Sequence, residues 1–166
     1  MPNIRNVRIV TPAQALVRLE RLCARAEHCT SELRVRLRKW KITESESDRI
    51  IESLISRRYV DDERFARAFV SDRVRFRRHG RMLVSRDLRL KGIDAAVIDQ
   101  LLDEIDRDMY ISNLRHIMQA KLRMSGAVAL DTREGRMKLA RFGMQRGYEP
   151  SLVIETIKIL ASERQD

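Results

Sequence analysis

The chain has 166 residues, with 34 Lys and Arg against 24 Asp and Glu and a formal net charge of +10, so its expected partner is a polyanion or an acidic surface. No apolar run approaches the roughly 18 residues that a membrane-spanning helix needs, and Met1 to Val10 has no signal-peptide apolar stretch. The two cysteines, Cys23 and Cys29, lack paired-motif spacing, which excludes a disulfide-stapled scaffold and fits a soluble protein of a reducing cytoplasm.

With only three prolines and six glycines, and with 3.6-residue periodicity in the longer segments, the chain reads as all-α. Residues 1–10 form a tail. Thr11-Pro12 opens a first helix, a hydroxyl cap followed by proline at the first turn, expected to run to about His28 with Leu16, Leu19, Leu22, Cys23 and Ala26 inward. Thr30 or Ser31 caps a second helix ending near Trp40. Thr43-Glu44-Ser45-Glu46 has capping-box spacing and opens a third, through about Arg57. Asp61 caps a longer helix carrying Phe65, Phe69 and Val70, which His79-Gly80 breaks. A helix from about Arg81 stops at Gly92, and Asp94 caps another to about Ile105. A long helix is expected from about Asp108 to Ala129. Asp131 or Thr132 caps the eighth, ending at Gly147, and Pro150 starts the last.

These nine helices fall into three similar triplets. Counted from Ile42, Ile93 and Tyr148, apolar residues recur at +8, +9 and +12 as Ile50, Ile51 and Leu54 in the first copy. The second copy has Leu101, Leu102 and Ile105 there, with Val97 and Ile98 at +4 and +5. The third has Thr156, Ile157 and Leu160, with Leu152 and Val153, whereas the first has Glu46 and Ser47 at those earlier offsets. Nine residues before each anchor stand Leu33, Val84 and Leu139. The division expected is a tail at 1–10 and three-helix repeats at 11–60, 61–107 and 108–166, stacked into an elongated, curved array.

Charge follows the repeat. Residues 18–41 hold eight Lys and Arg against three acids, and residues 43–63 hold three against seven. Residues 73–91 hold eight against one, residues 92–108 one against six, and residues 115–146 eight against two. Basic blocks thus fall on the first two helices of each triplet. Stacked in one orientation, they would form a positive stripe suited to phosphate contacts. The bland alternative is a set of solvated helix faces, with part of the Arg73–Arg81 block serving the helix dipole near Gly80.

Catalytic constellations are absent from the sequence. Its glycines are isolated rather than clustered in a phosphate loop, and His28, His79 and His116 lie far apart. Asp61-Asp62-Glu63 reads as caps and dipole partners rather than a metal site. Trp40 reads as packing, Cys23 as a small apolar group, and Met109, Met118, Met124, Met137 and Met144 as adaptable core filling. No enzyme activity, metal or cofactor is expected.

The stretch Tyr59-Val60-Asp61-Asp62-Glu63-Arg64-Phe65-Ala66, with Phe69-Val70, Arg73 and then Leu88-Arg89-Leu90-Lys91-Gly92-Ile93, resembles the RecX regulatory family. Arg141-Phe142 with Arg146-Gly147-Tyr148 is similar to its third-repeat signature, and Ser31-Glu32-Leu33 with Leu37 to its first. The likeness covers roughly residues 15–160. The chain departs from the family in having Trp40-Lys41-Ile42 where Lys-Gly-apolar is usual. It also lacks the proline common after Gly80, and has Gly143 where leucine is typical. The resemblance implies a monomeric three-repeat helical modulator that lies in the groove of the RecA–single-stranded DNA filament. It would restrain strand exchange, ATP hydrolysis and repressor coproteolysis, and so act in recombination, repair and the SOS response. Arg34, Arg38, Arg73, Arg77, Arg78, Arg81, Arg86 and Arg89 are the expected contacts to RecA or DNA, and Phe65, Phe69, Leu88, Ile93, Ile98 and Leu102 the expected core. Two rival readings are a stand-alone helix-turn-helix-type DNA-binding protein and an adaptor that binds another protein through its charged stripes.

Overall fold

The computed structural model describes residues 10–125 and 130–163. Among these residues are nine α-helices, one π-helical turn and no strand. The chain divides into two compact units, one ending at Ala66 and the other starting at Arg67. The third triplet and all of the second beyond Ala66 therefore share one unit, and the first triplet lies in the other with residues 61–66.

The first unit holds α1 (Pro12–Cys23), α2 (Thr30–Lys39), α3 (Glu44–Ser56) and the start of α4 (Asp62–Ser71). The capping box expected at Thr43 forms, and the Thr11 cap proves to be a second one. The Thr11 hydroxyl accepts from the Gln14 N–H and the Gln14 side chain accepts from the Thr11 N–H; Thr43 and Glu46 repeat the exchange. The core comprises Val10, Ala15, Leu19, Leu33, Leu37, Ile42, Ile50, Ile51, Leu54 and Val60, with Trp40 packed on its side. Val10 thus belongs to the core, while the rest of the expected tail lies outside the described residues.

Two expectations for this unit need correction. Helix α1 stops at Cys23 rather than near His28: the Arg25 N–H turns back only three residues, to the Leu22 carbonyl at 3.1 Å, and Ala26 is left exposed. Neither Thr30 nor Ser31 caps α2; the cap position is Cys29, which makes no side-chain cap bond. Asp62 does that work from α4, one carboxylate oxygen accepting from the Thr30 N–H at 2.7 Å and the other from the Thr30 hydroxyl at 2.7 Å. An acid at a helix N-terminus is favoured by the dipole even when it comes from another helix. Asp61 caps α4 as expected, accepting from the Arg64 N–H at 2.9 Å.

The second unit contains the end of α4, a π-helical turn at Asp72–Phe76, α5 (Arg81–Leu90), α6 (Ala95–Asp103), α7 (Arg107–Ser125), α8 (Arg133–Gln145) and α9 (Pro150–Ser162). The end expected for α7 at Ala129 lies outside the described residues. Asp94 and Thr132 accept from the Ala96 and Gly135 N–H groups, capping α6 and α8. Leu88, Ile93, Ile98 and Leu102 are buried here, as Phe65 is in the first unit. Phe69 is only partly covered, with the Arg73 guanidinium 4.7 Å and the Lys91 ammonium 5.8 Å from its ring centroid. Among the methionines expected inside, Met118 is buried, but Met124, Met137 and Met144 are exposed.

The repeat has a backbone signature. The N–H groups of Ile42, Ile93 and Tyr148 each donate to the carbonyl five residues back, those of Leu37, Leu88 and Gly143, at 3.1, 3.2 and 3.3 Å. The residue before each anchor, Lys41, Gly92 or Gly147, has positive φ (59°, 74° and 91°). This is the Schellman closure, in which a left-handed residue lets the chain satisfy the last carbonyls of a helix. Leu33, Val84 and Leu139 are all buried, as the shared spacing requires. Gly143 fits where leucine is typical because Val153 fills its place; a Cβ on Gly143 would lie 3.0 Å from both Val153 γ-carbons.

Candidate nucleic-acid interface

In the first unit Arg34 and Arg38 stand one turn apart on α2, beside a shallow groove that Ile42, Glu44, Ser47 and Asp48 also line. Arg34 donates to Asp48 at 2.6 Å, so its charge is partly matched. Arg38 is exposed, as are Arg36, Lys39 and Lys41 near it. Trp40 is not a bare platform: it packs against the core, with the Arg18 guanidinium 5.6 Å from its ring centroid.

In the second unit the block from Arg73 to Lys91 spans the π-helical turn, the Gly80 loop and α5. Six of the eight expected contacts lie there, and the structure separates them into two kinds. Arg77, Arg86 and Arg89 are exposed. Arg77 donates to Asp72 at 3.1 Å and Arg86 to Asp87 at 3.0 Å. Exposed pairs of this sort are weak and readily exchange for other anions. Arg75, which the expectation omitted, is also exposed.

Arg73, Arg78 and Arg81 are built into the unit. The Arg73 guanidinium covers Phe69 and its Nε is buried. Arg78 has positive φ (51°), and its carbonyl accepts from the Tyr148 hydroxyl at 3.1 Å. Arg81 donates through Nε to the Leu102 carbonyl at 3.2 Å and lies 4.4 Å over the Tyr110 ring, with Glu149 3.7 Å away. Its backbone N–H donates to the Tyr110 hydroxyl at 2.8 Å, and that hydroxyl donates to Glu149 at 2.8 Å. Burial, with Glu149 adding to it, holds the Tyr110 phenol far above the usual tyrosine range, and burial does the same for Tyr148. The two rings pack 4.9 Å apart. Tyr148 stands out in the sequence as a repeat anchor but not for this contact, and Tyr110 and Glu149 carry no local signal, because the partners of these groups lie 29 to 70 residues away.

Gly80 completes this junction. Its N–H donates to the Arg146 carbonyl at 2.8 Å, and the Met82 N–H donates to the Gly147 carbonyl at 3.0 Å. A Cβ on Gly80 would lie 2.1 Å from the Gly147 carbonyl group, so only glycine permits the approach. Arg146 then donates to the Arg77 carbonyl at 2.5 Å. His79 sits among these cations; burial foremost, then Arg146 and Arg73, pushes its pKa below the ordinary value, with Asp87 opposing. The basic surface of this unit is therefore anchored from beneath by its third-repeat residues.

Among the described residues no three His, Cys, Asp or Glu side chains converge as a metal site. Burial raises the Cys23 thiol pKa, the opposite of what a nucleophile needs. No helix among the described residues is long and apolar enough to cross a membrane.

Comparison with known proteins agrees with this architecture. A family model described as "RecX, second three-helix domain" matches residues 61–102. Regulatory protein RecX of Halorhodospira halophila is 30% identical over 128 residues, covering 77% of this chain and 76% of that protein. Regulatory protein RecX of Clostridium acetobutylicum is 29% identical over 134 residues, covering 80% of this chain, which spans 62% of that relative's length. The crystal structure of RecX from Lactobacillus salivarius superposes with a TM-score of 0.74 over 90% of this chain and 96% of its own, at 16% identity, a likeness of fold. Taken with the Schellman-closed triplets, these matches establish that the chain belongs to the RecX family of regulatory proteins.

Proposed function

We propose that this chain is a non-enzymatic, cytoplasmic regulator that binds the RecA–single-stranded DNA filament as a monomer. In that role it inhibits the filament's recombinase, ATPase and coprotease activities, and does so without a cofactor. The observation that carries the reading is the exposed arginine set of the second unit, Arg75, Arg77, Arg86 and Arg89, on a member of the RecX family. These guanidiniums face solvent on helical segments fixed by the Gly80–Gly147 approach, so little ordering is needed when a polyanion arrives. Arg34 and Arg38 add contacts from the first unit. Several modest contacts along a repeating filament sum to a long residence time, since each bound site raises the effective concentration of the next. Arg73 and Arg81 contribute by holding the surface in place more than by touching the partner, and Arg78 takes part in the frame through its backbone carbonyl.

Fluorescence anisotropy of labelled single-stranded DNA, coated with RecA and bare, tests the reading. Tighter association with the coated strand, weakening steeply as salt rises, is the expected result. Sequence-specific duplex binding without RecA would favour the stand-alone helix-turn-helix reading, and association with RecA indifferent to salt would favour the adaptor.

A further inference from the structure

Phe76 is 78% exposed, an unusual setting for a phenylalanine. The other three phenylalanines of the chain are covered: Phe65 is buried, Phe69 lies beneath Arg73, and Phe142 has Lys121 5.5 Å from its ring centroid. The cause lies in the backbone. Phe76 follows Phe69 by seven residues, which on an uninterrupted α-helix would bring both rings within about 20° of one line. The π-helical turn Asp72–Phe76 breaks that register. The Arg77 N–H donates to the Asp72 carbonyl five residues back, at 3.2 Å, so the segment is underwound and Phe76 swings away from the inner line. Such turns are rare and gather at functional sites.

The turn is pinned rather than loose. Val74 is buried, its carbonyl accepts from the Asn113 amide at 3.0 Å, and the Arg77 carbonyl accepts from Arg146. The ring is thus presented on a rigid segment, directly between two exposed arginines, Arg75 and Arg77. Among the described residues no acidic side chain pairs with Arg75. A flat apolar ring flanked by cations complements a chain that alternates flat bases with phosphates. We propose that Phe76 is a stacking platform for one base of single-stranded nucleic acid, with Arg75 and Arg77 meeting the phosphates on either side. Every base offers a π-face, so the contact is indifferent to sequence; a duplex keeps its bases within the stack and cannot supply one. The inference deepens the nucleic-acid part of the proposed function and rests on it.

The test uses the full chain at low salt without RecA, on three labelled probes: an oligothymidylate, an abasic strand of equal length and phosphate count, and a duplex. The wild type should bind the oligothymidylate about tenfold more tightly than the abasic strand. Phe76→Ala should lose about that factor on the oligothymidylate and nothing on the abasic strand, with its melting temperature unchanged. Phe76→Trp should restore the affinity, and the added indole emission should be quenched by the oligothymidylate and not by the abasic strand. Equal loss on both strands, loss on neither, a wild type that binds neither, or unquenched Trp emission overturns the proposal. If Phe76→Ala binds all three probes normally yet no longer restrains RecA, the ring docks on the recombinase and the stacking role is wrong. Failure of the RecA reading would appear as no preference for the RecA-coated strand or as sequence-specific duplex binding, neither of which is a result of the comparison between oligothymidylate and abasic strand, and this keeps the two outcomes apart.

Discussion

Lys41 adopts φ 59° at a position where the other two triplets have Gly92 and Gly147. A side chain in the left-handed region costs about 1–2 kcal/mol. Lys41→Gly relieves that strain while giving the unfolded chain more freedom, so a net gain of about 0.5–1 kcal/mol is expected by denaturant unfolding. Lys41→Ala keeps the Cβ and should give no gain; equal effects from the two would refute the strain argument. This departure from the family pattern stands out in the sequence, but its physical meaning required the dihedral. His79 makes a second prediction. Its folded pKa lies below the ordinary 6.5, so the unfolded chain takes up the proton first as pH falls. The stability contributed by neutral His79 is complete above 6.5 and is lost as pH drops below it. Melting temperatures from about pH 7 to about pH 5 should therefore fall less in His79→Gln than in the wild type. Parallel curves would mean the histidine titrates as it does in the unfolded chain. The role of Arg81 is not visible in its sequence neighbourhood. As one arginine in a dense block it looks like surface, and only the fold brings Leu102, Tyr110 and Glu149 to it.

At the scale of elements, helix ends organise the second unit. The N-terminus of α5 sits against the α8–α9 turn with no room for a β-carbon at Gly80. Gly80→Ala should destabilise the protein by about 3 kcal/mol or more, since the obstruction is backbone and cannot rotate away. A thermal melt within about 1 kcal/mol of wild type would show that the junction opens at little cost. The helices themselves were legible, because the Thr43–Glu46 capping box, Thr11-Pro12 and the anchors Ile42, Ile93 and Tyr148 are local signals. The π-helical turn was not. Phe69 and Phe76 have the spacing of a continuing α-helical stripe, and the amide that secures the Val74 carbonyl belongs to Asn113 on α7. Likewise Asp62, read as a member of an acidic helix start, serves α2. Contacts supplied from a distant helix leave no trace in local periodicity.

At the scale of the whole molecule, three triplets were legible because one hydrophobic and charge period runs through the chain. The pairing of the second and third triplets in one unit depends on Gly80, Tyr110 and Gly147, whose identities look ordinary until the helices meet. That unit carries a dense block of exposed cations on a frame that other cations hold together. The distinction sets the decisive variant. Arg77→Glu, Arg86→Glu and Arg89→Glu change charges facing solvent, whereas changing Arg81 would break the junction. The most direct measurement is RecA ATPase on single-stranded DNA titrated with the wild type and with this triple variant at rising salt. Dose-dependent inhibition by the wild type, weakened at least tenfold in a normally folded triple variant and fading with salt, is the result expected. No inhibition by the wild type, or equal inhibition by both proteins, would contradict the claim that this surface restrains the filament.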